Sequence, residues 1–270
     1  TVQSTYTKFP YLRRIWTKNT EEERLLGVSL TGIMDSVVTS HPDPEVLAEL
    51  RQIAVDTNKE WAERLDIPQS AAITCVKPSG TVSQLVDAGS GIHARHSPYY
   101  IRTVRGDVKD PLTQLMNDEG VPSGPEVSHP DTTMVFSFPV ASPEYAVTRN
   151  DMTALEQLEL WKAYAVNWCE HKPSVTISVR DEEWLEVGAW VYKNFDLCSG
   201  ISFLPHSDHT YQQAPYQDCD EETYQELLDR MPKMIDWNRL GEYEAEDNTA
   251  GSQTLACVGG VCEIVDLNAA

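Results

Sequence analysis

The chain has 270 residues, 41% of them hydrophobic, and a formal net charge of −21. That acidity excludes broad binding to nucleic acid, which needs Lys and Arg to replace counterions on the phosphates, although one nucleotide can still sit on backbone N–H groups. No apolar run approaches the roughly 20 residues that span a bilayer and no apolar signal core opens the chain, so a soluble, cytoplasmic protein without membrane contact is expected.

Residues 24–36, RLLGVSLTGIMDS, read as a short buried strand leading into a helix or loop. Residues 44–65 read as an amphipathic helix. Pro44 suits its first turn, and Val46, Leu47, Leu50, Ile53, Ala54 and Trp61 keep roughly helical spacing. A short apolar strand at 71–76 stops at Lys77-Pro78-Ser79-Gly80, a loop signal. Strands are expected at 99–105, 132–140, 174–179 and 200–205, and helices at 109–119, 151–170, 181–195 and about 220–231. The helix at 151–170 is the clearest, ending where a basic last turn meets Pro173. Alternating strands and helices of this length predict parallel pairing and an α/β fold. From about Gly241 the composition turns acidic, small and polar, which predicts a first domain over 1–240 and a flexible tail over 241–270.

Three groups of residues could carry chemistry. Cys257 and Cys262 flank Val-Gly-Gly-Val near the end of the chain. Glycines between them permit a tight ring, so the pair reads as a tethered dithiol able to attack a disulfide and be resolved by its neighbour; two unrelated exposed thiols are the alternative. Two further ligands would be needed for a metal, and none lies in the tail, so no metal is expected. In the segment 77–96, Pro78, Ser79, Gly80, Thr81, Val82 and Ser83 follow a buried strand. Glycine allows close backbone approach, the hydroxyls can donate, and a helix starting there presents N–H groups to a phosphate. An ordinary turn with a Ser/Thr cap is the alternative. His93 and His96 are three apart, as are His206 and His209 with Asp208 between them. Both pairs lack a clear third ligand and fit structural or solvent-exposed roles. Trp161, Tyr164 and Trp168 repeat at helical spacing and fit core packing. The acidic run 218–222 fits the start of a helix, where the dipole favours it.

Several longer stretches, in order, resemble one family. KPSGTVSQLVDAGSGIHARHSPYYIRTVR (77–105), WCEHKPSVTISV (168–179), GISFLPHSDHTYQQAPYQ (200–217), RLLGVSLTGIMD (24–35) and the terminal CVGGVC are similar to segments of adenosylcobalamin-dependent ribonucleotide reductases, in particular the monomeric ribonucleoside-triphosphate reductases. The resemblance implies the C-terminal portion of a ten-stranded α/β barrel. It implies ribonucleoside triphosphate as substrate, adenosylcobalamin as cofactor and a thiyl-radical mechanism. It implies that Pro78–Ser83 form the substrate-phosphate loop, and that Cys257 and Cys262 relay electrons from thioredoxin or a similar dithiol to a buried active-site disulfide. The radical cysteine of that family sits in an Asn-Pro-Cys-x-Glu-like context that this sequence does not contain, so an N-terminal portion is expected as partner. His93 is the one candidate for cobalamin contact. A stand-alone nucleotide-binding or redox-sensing module without catalysis is the alternative.

Overall fold

The computed structural model describes residues 1–206 and 212–244. Its helices are α1 (Arg14–Glu23), α2 (Val37–Ser40), α3 (Pro44–Arg64), α4 (Val82–Leu85), α5 (Pro111–Asp118), α6 (Ala154–Asn167), α7 (Trp184–Lys193), α8 (Glu221–Arg230) and α9 (Leu240–Tyr243). Its strands are β1 (Val28–Ser29), β2 (Thr74–Cys75), β3 (Tyr99–Asp107), β4 (Ser123–Pro125), β5 (Thr133–Ala141), β6 (Val175–Val179), β7 (Ile201–Pro205) and β8 (Tyr216–Asp218). The chain divides into two units. The first comprises Thr1–Tyr100 with the described residues from Ala141 to 206, and the second comprises Ile101–Val140 with the described residues from 212.

Local chemistry explains where the main helices of the first unit begin. Asp43 caps α3 by accepting from the Glu45 N–H at 2.8 Å, with Pro44 in the first turn. Thr153 and Glu156 cap α6 reciprocally: the Glu156 N–H donates to Thr153 Oγ1 and the Thr153 N–H to Glu156 Oε2. The Thr153 N–H and then its hydroxyl, both donating to Glu156 Oε2, hold the Glu156 carboxyl below its ordinary pKa. Helix α6 then carries the core. Ala154, Leu158, Trp161 and Tyr164 are fully buried, together with Ile177 and Val179 of β6. Strand β6 alternates inward at Val175, Ile177 and Val179, as a pleated strand with one covered face must. Trp161 meets Trp190 of α7 edge-to-face at 6.5 Å and donates its indole N–H to the Pro173 carbonyl at 3.2 Å. The aromatic spacing read in the sequence is therefore core packing.

In the second unit, Leu115, Val121, Val135, Phe136 and Leu227 are buried. Asp220 caps α8, accepting from the Thr223 N–H at 2.8 Å, so the acidic run is a helix start. Residues 241–243, expected in the tail, continue helix α9, and the Tyr243 hydroxyl donates to Asp118 at 2.9 Å.

Two expectations need correction. The strands do not form part of a closed ten-stranded barrel. Among the described residues they make three separate sheets: β1 with β2, β6 with β7, and an open sheet of order β4-β5-β3-β8. Closure needs every strand to bond a neighbour on both sides, whereas each two-stranded pair here ends after one ladder. The parallel pairing does hold for β1–β2 and β6–β7, but β4 and β5 are antiparallel. The second correction concerns α3. Of its apolar residues only Leu47 and Ala62 are buried, while Val46, Leu50, Ile53 and Trp61 are 40–54% exposed. Helical periodicity shows that these residues share a side; it does not say whether anything covers them.

Two outcomes follow from the core. Trp161→Ala removes a fully buried indole and is expected to cost about 3–5 kcal/mol, read from the urea midpoint at unchanged slope. Burial pushes the Tyr164 phenol up to about 12, with the neighbouring Cys169 adding to it; burial likewise pushes the Cys169 thiol up to about 12, with Cys75 adding to it. Both groups stay neutral in the folded chain at pH values where the unfolded chain has already lost the protons. Stability is therefore full below the ordinary thiol value of 9.0 and falls as pH rises toward 12. Urea titrations at stepped alkaline pH should show that decline, with less of it in Cys169→Ala.

Candidate functional site

The segment after β2 is built as two arms that hold each other. On the outgoing arm, the Lys77 N–H donates to Ser29 Oγ at 3.1 Å. The Ser79 N–H donates to Ser90 Oγ on the returning arm at 3.0 Å. Ser79 Oγ accepts from the Ser83 N–H at 2.8 Å, and the Ser83 hydroxyl donates back to the Ser79 carbonyl. Ser79 therefore does the work of a cap for the short turn α4, whereas the Thr81 side chain makes no cap bond. The arms touch at Gly91, which has φ +57; a Cβ there would lie 2.5 Å from the Lys77 carbonyl oxygen. Only glycine allows that approach.

The returning arm is anchored by Asp35 and Arg95. Asp35 Oδ2 accepts from the Gly89 N–H at 2.7 Å. Arg95 forks onto the same carboxylate, Nε to Oδ1 at 2.8 Å and Nη2 to Oδ2 at 2.9 Å, and Nη2 also donates to the Asp87 carbonyl at 2.8 Å. The Arg95 side chain is 3% exposed. Burial opposes its charge, but the bonds and charge of Asp35 outweigh that and hold its pKa above the ordinary arginine value. Two-point guanidinium–carboxylate pairing fixes geometry as well as charge.

The six loop residues read from the sequence are thus together but not equivalent. Pro78, Gly80, Thr81 and Val82 are exposed and Ser79 is half-buried, whereas Ser83 is fully buried and faces inward. Among the described residues, the N–H groups of Thr81 and Val82 and the Thr81 hydroxyl have no hydrogen-bond partner. A Cβ on Gly80 would meet nothing within 4 Å, so the turn has open space around it. What the site presents is a short rim of donors beside the exposed Lys77.

The histidines do not converge. His93 donates from Nδ1 to the Ser90 carbonyl at 3.0 Å and accepts at Nε2 from the Thr176 N–H at 3.0 Å. Burial lowers its pKa despite the Ser90 bond, so the ring is neutral and ties β6 to the returning arm. Coordination of a metal by either nitrogen would break one of these bonds. His96 packs edge-on to Tyr100 at 5.8 Å. His206 closes β7, its N–H donating to the Val179 carbonyl at 2.7 Å, while Asp208 and His209 lie outside the described residues. No group of three or more His, Cys, Asp or Glu able to hold a metal occurs among the described residues. His93, the candidate for cobalamin contact, thus has both ring nitrogens engaged within the protein. Cys257 and Cys262 lie outside the described residues. Cys75, Cys169, Cys198 and Cys219 are free thiols with raised pKa values, burial being the first cause in each, so none is an activated nucleophile. Asp35, Ser90 and Arg95 lie inside stretches quoted for the resemblance, but the sequence singled out none of them, because nothing in the string shows that they bond one another or the loop.

An α/β fold with this arrangement is known. No family model matches the chain. The chain resembles the crystal structure of a B12-dependent (class II) ribonucleotide reductase, with a TM-score of 0.75 at 22% identity over 90% of this chain and 38% of that one. In sequence the chain is 28% identical to a probable adenosylcobalamin-dependent ribonucleoside-triphosphate reductase of Dictyostelium discoideum, over 97% of this chain and 34% of that protein. It is 32% identical to the adenosylcobalamin-dependent ribonucleoside-triphosphate reductase of Euglena gracilis, over 82% and 31% respectively, and 26% identical to that of Lactobacillus leichmannii, over 94% and 39%. The chain is homologous to a portion of the adenosylcobalamin-dependent (class II) ribonucleotide reductases, and spans about a third of the length of these relatives.

Removing the anchor tests the construction of the loop. Asp35→Ala removes the two-point partner of the buried Arg95, leaving only the exposed Asp87 carboxylate 3.6 Å away, and is expected to cost about 3–5 kcal/mol. Asp35→Asn, which keeps the shape, should cost less. Urea unfolding measures both, and amide exchange at Gly89 should speed up in each.

Proposed function

We propose that this chain acts as the C-terminal part of an adenosylcobalamin-dependent ribonucleoside-triphosphate reductase, with residues 1–240 contributing to substrate binding and residues 241–270 forming a redox tail. What supports the reading most is likeness along nearly the whole chain to relatives of that name. In this reading the rim at Gly80–Val82 holds the substrate's phosphates: the Thr81 and Val82 N–H groups and the Thr81 hydroxyl donate to phosphate oxygens, and Lys77 adds a cation. Ser79, Ser83 and Ser90 keep the turn in shape rather than touching the nucleotide. Adenosylcobalamin, when bound, supplies the radical for the family's chemistry; no contact with it is assigned to the described residues.

The tail takes the electron-transfer role. One thiolate of Cys257 and Cys262 attacks an active-site disulfide, forming a mixed disulfide and releasing one thiol there. The other tail thiolate then attacks the tail sulfur of that bond, which frees the second active-site thiol and leaves a tail disulfide. Thioredoxin or a similar dithiol reduces that disulfide in turn, so two electrons and two protons enter per cycle. The partner required is the N-terminal portion of the reductase, which brings the radical cysteine.

The assay combines this chain with a polypeptide carrying the remaining portion, adenosylcobalamin, a ribonucleoside triphosphate and reduced thioredoxin, and measures deoxynucleotide. Formation is expected, and none in any mixture would refute the reading. Thr81→Ala should raise KM about tenfold or more, the loss of a hydrogen bond to a charged group. Cys257→Ser should abolish turnover with thioredoxin and retain turnover with a small dithiol; equal loss with both would refute the relay.

A further inference from the structure

Helix α3 has two apolar sides. One is in the core, where Leu47 and Ala62 are buried and Asn58 bonds the Ser70 N–H and hydroxyl. The other carries Val46, Leu50, Ile53 and Trp61, which are 48, 44, 54 and 40% exposed. At 100° per residue these four fall within an arc of about 80°, roughly 90° round from the core-facing residues. Exposed Thr57 lies on the same line, and the stripe runs about 22 Å along the axis. With Thr57 counted, its steps of four, three, four and four residues are those of a side that packs against another helix. Monomeric proteins rarely leave a contiguous apolar stripe of this length bare.

We propose that this stripe docks a helix of the polypeptide corresponding to the two-thirds of the reductases that this chain does not match. The proposal rests on the reading given under Proposed function and names the surface through which that partner is engaged. Two observations favour this occupant. The homologous proteins contain a large further portion that must lie against the matched third somewhere, since the chain covers 31–39% of them. A second copy of this chain is the poorer fit, because bringing together two chains of −21 each is opposed by like-charge repulsion. The Arg64 guanidinium lies 5.0 Å from the Trp61 ring centroid, so the end of the stripe is already partly shielded and the centre, Leu50 and Ile53, carries the contact.

The test uses the full chain and the polypeptide of the same organism that aligns with the unmatched two-thirds of the relatives, expressed separately. Binding is followed by calorimetry and sedimentation, deoxynucleotide formation in parallel. The double variant Leu50→Glu/Ile53→Glu places charges on the stripe without touching the core, and its fold is checked by circular dichroism and urea midpoint. Leu185→Glu, on the 88% exposed Leu185 of α7, is the control. A one-to-one complex weakened about thirtyfold or more by the double variant, and unaffected by the control, is the expected result. A complex that forms and makes deoxynucleotide but ignores the double variant overturns the surface while leaving the proposed function intact. A wild-type chain that dimerises by itself, with the double variant monomeric, overturns the choice of occupant. No complex and no deoxynucleotide in any mixture overturns both.

Discussion

The Asp35–Arg95 pair is the constraint on which the surroundings of the loop depend. One carboxylate receives a guanidinium fork and a backbone N–H, and the same guanidinium holds the Asp87 carbonyl. Asp35 and the stretch from Asp87 to Arg95, distant in sequence, are thereby joined around one buried charge. A cation 3% exposed is stable only where its partner is fixed, so the geometry cannot drift without a large cost. The rigid returning arm then supplies Ser90 Oγ to Ser79 and the narrow passage at Gly91 to Lys77. The exposed rim at Gly80–Val82 is a consequence of how firmly its two ends are held.

The same arrangement separates two kinds of polar group. Those that hold the loop have partners within the protein: Ser79, Ser83, Ser90 and both nitrogens of His93. Among the described residues, the Thr81 and Val82 N–H groups and the Thr81 hydroxyl on the rim do not. A ligand meeting the rim would lose few protein bonds and need little rearrangement, which suits recognition of an anion by preformed donors. The described cysteines fall on the structural side of this division. Burial keeps Cys75 and Cys169 in the thiol form.

Much of the first unit was legible from local pattern. Thr153 and Glu156 mark the start of α6, and the inward alternation of Val175, Ile177 and Val179 marks β6. Each depends on residues within one or two turns or one strand, so near neighbours suffice to specify it. Helix α1 offered no such signal: it has no buried residue and no side-chain cap. In the loop, residue types marked a candidate stretch, but they could not tell that Ser83 turns inward while Thr81 stays out. That distinction comes from the Ser79 cap and from what packs behind it.

The sequence alone determined the main helices and strands, the acidic character of the chain and its likeness to the reductases, because periodicity, capping residues and order of motifs are properties of the string. Tertiary structure decided the rest. It paired Asp35 with Arg95 across 60 positions, left Val46, Leu50, Ile53 and Trp61 uncovered beside a buried Leu47, and kept the strands of the described residues in three open sheets rather than a closed one. Each of those outcomes turns on which distant surfaces meet, and side-chain pattern records which residues share a face but not what lies opposite.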